Sequence, residues 1–338
     1  MGQTTDQPGR HMAAEIAEAP EVFARAATRV WRDEAQALGL DKVRAFYTIA
    51  RGSSDAAATN LSYEIMARRR VPVTSLPPSA FSIYGGLAMA QAASLVISQS
   101  GASDDLVTSA RGARQEGRVV AITNQPGSAV EAESDLCLPV DAGPERAVPA
   151  TKTVIGSVGA GMALLAALDP GYAETCEAAA ECFRTIGAAR HPGADALAVA
   201  LGRAQHVFVI GRGPGYGAAQ EIALKLKECC ALHAEGYSAS EVLHGPLQLV
   251  TKPLLVLMLD TGEAAVQPSL DIAEGRFRAA GGDVHRLRPS DLGVRALCPA
   301  AAAALLLQMI YPVVLATALG LGHDPDAPET LSKVTRTT

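Results

Sequence analysis

Glu221, Lys225 and Glu228 stand four and three residues apart, so a helix would carry all three on one face. Two carboxylates around one ammonium can move a proton when the site is dry. The same spacing also suits a solvated ladder of ion pairs. Two features favour burial: Leu224 and Leu226 flank Lys225, and a turn holding Gly211, Gly213, Gly215 and Gly217 precedes the stretch. A second group is Ser98-Gln99-Ser100-Gly101-Ala102-Ser103. It follows the apolar run Leu95–Ile97 and leads into Ser103-Asp104-Asp105, which reads as a helix start with a hydroxyl N-cap and acids in its first turn. Backbone N–H groups and a positive helix end suit an anion there, above all a phosphate. The loop has no Lys, so it is not the phosphate loop of nucleotide hydrolases; a plain polar turn is the other reading. His244, in His-Gly-Pro, and the weaker His233 stand downstream, and Lys333 stands in the tail. A histidine in a turn is most often structural, and a tail lysine is ordinarily a solvated charge.

The elements that must position these groups alternate. Residues 12–36 read as one helix, with Met12, Ile16, Phe23, Ala26 and Val30 at helical spacing. Strands are expected at 45–50, 71–76, 92–97, 118–123 and 135–140, and helices at 56–69, from Ser103 to about Glu116, and over 151–168. The pattern then recurs. Phe46-Tyr-Thr-Ile-Ala-Arg51-Gly52 is echoed by Val207-Phe-Val-Ile-Gly-Arg212-Gly213, a shift of 212 − 51 = 161. The same shift sets Ala57-Ala58 on Ala218-Ala219, Ile65 on Leu226, and Gly101 on Gly262. A constant shift across three elements marks two copies of one α/β unit. The fold expected is therefore α/β, with two parallel sheets each flanked by helices in three layers. The divisions expected are 1–36, an N-terminal extension and helix; 37–169, the phosphate cradle; 170–195, a linker with a helix over 173–188; 196–322, the acid-base unit; and 323–338, the tail. Ligands of such sheets gather at the carboxyl ends of the strands.

Composition narrows the partners. In 338 residues, 49% are apolar, 4% are aromatic, and the net charge is −6 without a basic run, which argues against nucleic acid. The six cysteines (137, 176, 182, 229, 230 and 298) form no CxxC and no Cys/His cluster, so neither disulfides nor a metal site is expected and a cytoplasmic setting fits. Met1–Arg10 is polar and does not read as a signal peptide. Pro299–Gly320 is long enough to span a bilayer, but Gln308, Pro312 and Thr317 interrupt it, and it reads as a buried helix.

Several segments together carry a resemblance. They are Arg51-Gly-Ser-Ser-Asp55, Ser98-Gln-Ser-Gly-Ala-Ser103, Ala142-Gly-Pro-Glu-Arg-Ala-Val-Pro-Ala-Thr-Lys152 and Ala223-Leu-Lys-Leu-Lys-Glu228. The run from His233 through His244-Gly-Pro-Leu and the tail from Asp324 to Lys333 continue it. From about Met12 onward the chain resembles the double SIS (sugar isomerase) domain family, most of all SIS-type glucosamine-6-phosphate deaminases and the isomerase part of glucosamine-6-phosphate synthase. The resemblance implies that Ser98, Gln99, Ser100 and Ser103 hold a sugar phosphate, with Ser53 and Ser54 near it. It implies that Glu228 shuttles a proton between C1 and C2 beside Lys225, and that His244 from a neighbouring subunit helps open the ring. It also implies that Lys333 reaches the open-chain carbonyl, where an amine can condense. No metal or organic cofactor is implied, and a homo-oligomer, most simply a dimer, is. Two departures stand out. Ala150 replaces the serine of the synthase's Ala-Ser-Thr-Lys, and no N-terminal cysteine nucleophile of a glutaminase is seen. The reaction expected is glucosamine 6-phosphate plus water to fructose 6-phosphate plus ammonia. The alternatives are another amino- or glycated sugar phosphate, a plain aldose–ketose isomerase, or a phosphosugar sensor.

Overall fold

The computed structural model describes residues 7–333. Two fully parallel sheets form its frame. The first contains β1 (Ala45–Ile49), β2 (Val73–Ser75), β3 (Ala92–Ser98), β4 (Arg118–Thr123) and β5 (Leu136–Pro139), in the order β2-β1-β3-β4-β5. The second contains β6 (His206–Gly211), β7 (His233–Ser238), β8 (Leu255–Leu259) and β9 (Asp283–Leu287), in the order β7-β6-β8-β9. Every residue of β3 and of β8 is buried, as expected of central parallel strands covered on both faces. Register is continuous: Ala45 faces Ala92 and Ile49 faces Val96, while Val207 faces Leu255 and Ile210 faces Met258.

The repeat is structural. Adding 161 to Ser53–Arg69 gives Pro214–Cys230, the bounds of the matching helix. Both helices follow a glycine at positive φ, Gly52 at 53° and Gly213 at 58°, and both end on a left-handed residue, Arg70 and Ala231. These two helices pack against each other across the units. Gly217 permits the approach: a Cβ there would lie 2.6 Å from the Ala56 carbonyl oxygen. Closeness at that crossing brings the second unit's charged helix to the first unit's loops.

Pro299–Gly320 is buried along most of its length, packed on the helices Arg10–Ala27, Pro214–Cys230 and Ala194–Arg203. Its apolar character on all sides follows from that enclosure. Gln308 Nε2 donates to the Ile16 carbonyl at 3.0 Å, so one of the interrupting polar groups is spent internally.

Two expectations change. Residues 12–36 are two helices, Arg10–Ala27 and Arg32–Ala37, and Val30 is 82% exposed instead of lying on a buried stripe. The break follows side-chain demands: Arg29 pairs with Asp141 while Trp31 packs on the core. The helix over 173–188 ends at Ile186 and works as core, with the Phe183 ring stacked on Phe23 at 3.9 Å.

Candidate functional site

The first sheet reverses its winding between β1 and β3, so a crevice opens outside their carboxyl ends. The loops that leave these two strands line a cavity of about 300 Å³. From the β3 loop come Ser98, Gln99, Ser100 and Ser103; from the β1 turn come Arg51, Ser53 and Ser54. Ser98 Oγ accepts from Gly101 N–H at 3.1 Å, and Ser100 Oγ accepts from Ala102 N–H at 3.3 Å, so the hydroxyls shape the loop. The helix Asp104–Glu116 begins there, with Ser103 at the N-cap position. The expected capping bond is not made: the Ser103 side chain accepts none of the helix N–H groups. Its hydroxyl lines the cavity and can meet a ligand.

Acids in the first turn would repel an anion at this helix end. Asp105 is buried, and Arg51 Nε pairs with it. Arg51 is about half exposed and lines the cavity beside the hydroxyls. It thus offsets the charge of Asp105 at the edge of the cavity. Sequence reasoning places Arg51 in a motif and gives it no role; its position directly after a strand was the available signal.

The acid-base trio enters from the second unit. Lys225 is wholly buried, and its Nζ lies 2.9 Å from Ser53 Oγ and 3.4 Å from Glu221 Oε1. It also donates to Glu228 Oε2. The solvated-ladder reading is therefore excluded for Lys225 and Glu221, while Lys227 on the opposite face is exposed. Burial pushes the Glu221 carboxyl up to about 7, against the pull of the Lys225 ammonium. Burial also opposes charge on Lys225, but Glu221 and Glu228 outweigh it and hold the ammonium above the ordinary lysine range. Tyr311 OH donates to Glu221 Oε1 at 3.1 Å, and burial holds that phenol protonated. Glu221 and Tyr311 anchor the lysine from behind; Glu228, a quarter exposed, faces the cavity.

Lys333 reaches the same cavity from the tail. Its Nζ donates to the Ala147 carbonyl at 2.7 Å and lies 3.1 Å from Glu145 Oε2. Glu145 is buried and accepts from Thr151 N–H, Thr153 N–H and Thr153 Oγ1. The tail lysine is not a free surface charge, and only tertiary contact reveals its carboxylate. Val148, Ala150, Leu106 and Leu331 supply an apolar wall.

Of the residues singled out from sequence, nine line this cavity: Ser53, Ser54, Ser98, Gln99, Ser100, Ser103, Lys225, Glu228 and Lys333. His244 does not. It ends the short 3₁₀ turn Glu241–His244 and is exposed. His233 is also outside, two-thirds exposed and 3.7 Å from Glu235. A broader basin of about 710 Å³ lies at the opposite, amino ends of β1 and β3, lined by Lys42, Arg44 and Arg118. It brings no carboxylate–ammonium pair to a hydroxyl loop.

Comparison with known proteins agrees with the two-unit fold. A family model described as SIS domain matches residues 39–167 and 200–284, one segment in each unit. The glutamine–fructose-6-phosphate aminotransferase (isomerizing) of Pyrobaculum aerophilum is 33% identical over 349 aligned positions, covering 95% of this chain and 56% of that protein. The Mycobacterium leprae protein of the same name is 32% identical, covering 87% and 51%. The chain thus spans about half the length of these curated relatives. A solved structure from Silicibacter pomeroyi, described as a candidate phosphosugar isomerase, is 35% identical with a TM-score of 0.81 and covers 93% of this chain and 99% of that one. The glucosamine-6-phosphate deaminase of Thermotoga maritima, at 19% identity, a TM-score of 0.72 and coverage of 97% and 100%, shares the fold.

Proposed function

This chain belongs to the SIS-domain family, and from that premise we propose that it is a phosphosugar isomerase that deaminates glucosamine 6-phosphate to fructose 6-phosphate and ammonia. One observation carries the reading: Glu228, the Lys333 amine and the hydroxyl loop Ser98–Ser103 share one cavity of about 300 Å³. A phosphate held by that loop and by Arg51 fixes one end of a six-carbon chain. The other end, C1 and C2, then falls near Glu228 and Lys333.

Each group has a step. With the sugar ring open, C2 carries the amine and C1 is an aldehyde. Glu228 takes the C2 proton and returns it to C1, which leaves a C2 imine and a C1 hydroxyl. Lys333 passes a proton to Glu145 and its amine attacks C2, ammonia leaves, and water then releases the ketose and restores the lysine. Lys225 aims Glu228 and balances its charge, since a charge held in a dry site acts strongly on its neighbour. The family resemblance assigns ring opening to His244 of a second copy, and a dimer with it; His244 of the same chain lies outside the cavity.

A second reading has an observation of its own. Ala150 and Val148 give the cavity an apolar wall, and the resembling synthase carries a serine at the Ala150 position. That wall suits a substituent on the sugar nitrogen, as in a glycated amine 6-phosphate.

The test is release of ammonia and fructose 6-phosphate from glucosamine 6-phosphate, with wild type beside Glu228→Gln. The wild type turns over, and the variant loses about 10³-fold in kcat while still binding the phosphosugar. A folded wild type without turnover excludes this substrate and sends the assay to glycated 6-phosphates. Binding without turnover of any of them favours a sensor.

A further inference from the structure

The helix Arg10–Ala27 starts without a cap of its own. Gly9 occupies its N-cap position with no side-chain hydrogen bond, and its first turn holds no acid. The free N–H groups are met from the far end of the chain. Asp326 Oδ2 accepts from His11 N–H and Oδ1 from Met12 N–H, both at 2.8 Å. Asp324 Oδ1 accepts from Gly9 N–H and from Asp326 N–H, both at 3.0 Å. Two carboxylates more than 300 residues away thus serve as the cap, where negative charge is favoured. Pro325 and Pro328 bracket Asp326 and restrict the tail backbone around it.

The same helix also grips the loop that receives Lys333. Glu15, one turn beyond His11, accepts from Arg146 N–H and from Ala147 N–H. The Ala147 carbonyl accepts from Lys333 Nζ at 2.7 Å. One turn of helix therefore fixes both the base of the tail and the acceptor at its tip. Lys333 lies seven positions after Asp326, a span of at most about 25 Å.

We infer that Asp326 is a positioning residue: it latches the tail to the first helix so that Lys333 stands in the cavity against Ala147 and Glu145. The consequence for turnover rests on the proposed function; the latch itself does not. Asp326→Ala and the milder Asp326→Asn are compared with wild type. Acetylation of Lys333, read by peptide mass, reports the latch without any turnover. It is expected to quicken about fivefold in Asp326→Ala, the scale of a lost cap, with Asp326→Asn between and other lysines unchanged. Borohydride trapping of Lys333 with fructose 6-phosphate falls only as far as the docked fraction falls. kcat falls with it, while KM stays, because the phosphate cradle is untouched. Acetylation of Lys333 unchanged in a folded Asp326→Ala overturns the latch. So does a variant in which all lysines quicken together as the melting temperature drops, since Asp326 is then only a cap. Wild type that shows a protected Lys333 but no turnover retires the substrate assignment and leaves the latch standing.

Discussion

The two units share one backbone and differ at the same loop. In the first, the β3 loop presents Ser98, Gln99, Ser100 and Ser103 to an open cavity. In the second, the 161-residue shift puts Asp260 where the first has Gln99. Asp260 is buried and brings the anion from within: Gly262 N–H donates to it at 2.8 Å, Gln267 Nε2 at 2.7 Å, Arg288 Nε at 2.7 Å and Arg286 Nε at 3.0 Å. The second loop has thus filled its own anion site with a side chain. The facing helices diverge in the opposite sense. Asn60, Glu64 and Ala67 of the first correspond to Glu221, Lys225 and Glu228 of the second. Glu64 is used for structure, holding Tyr172 OH at 3.0 Å and capping Ala300 N–H at 3.1 Å. On the proposed function, ligand binding falls to one copy's loop and proton chemistry to the other copy's helix. The divergence lies at the end of one strand and along the buried face of one helix.

The division can be broken most severely at its seam. Lys225→Met leaves two carboxylates facing each other, one of them fully buried, and should cost about 3–5 kcal/mol of stability. Urea titration measures this, and a loss under about 1 kcal/mol would show that Glu221 simply takes up a proton. Next, the two loops should respond in mirror fashion. Asp260→Asn should lower stability by about 2–3 kcal/mol through weakened charged hydrogen bonds and leave turnover alone. Ser100→Ala with Ser103→Ala should leave stability alone and raise KM about tenfold or more, because two hydroxyls no longer hydrogen-bond a charged phosphate. A Thr261→Ala control in the second loop should change neither. A shift in KM on altering Asp260 would show that the second loop also binds.

A further comparison separates two acids by pH. Bonds to Arg288, Gln267, Gly262 and Arg286 outweigh burial and hold Asp260 below the ordinary carboxylate range. Its stabilisation is present above the unfolded carboxylate pKa and is lost as pH falls through the folded value. Burial pushes Glu15 up from 4.5 to about 7, against the Arg146 and Ala147 N–H groups. The folded chain then holds a proton that the unfolded chain releases, so stability is lost as pH rises from about 4.5 to about 7. Stability measured across that window should flatten in Glu15→Gln, whose amide oxygen keeps both acceptor roles. An unchanged slope would assign it to another group, with Glu221 the next to vary.

What the sequence determined by itself was periodic or local. The apolar run at 95–97 marked a buried strand, and the 161-residue echo marked two units, because hydrophobic spacing is set by backbone geometry alone. Glu221, Lys225 and Glu228 were legible as one face because a helix imposes that face. Gly101 and Gly262 fell on each other by the same shift, and both take positive φ. Only the tertiary structure decided what those faces meet. Glu145 and Lys333 lie 188 residues apart, and Asp326 lies 315 from His11, and no local rule links them. Asp260 looked like one more polar loop residue until Arg286 and Arg288 arrived from the neighbouring strand and the turn beyond it. Val30 fitted a helical stripe, and the pull of Asp141 on Arg29 turned it outward. Ionic and hydrogen-bonding partners act over a few ångströms in space and carry no signature of distance along the chain, so charge chemistry is settled last, by packing.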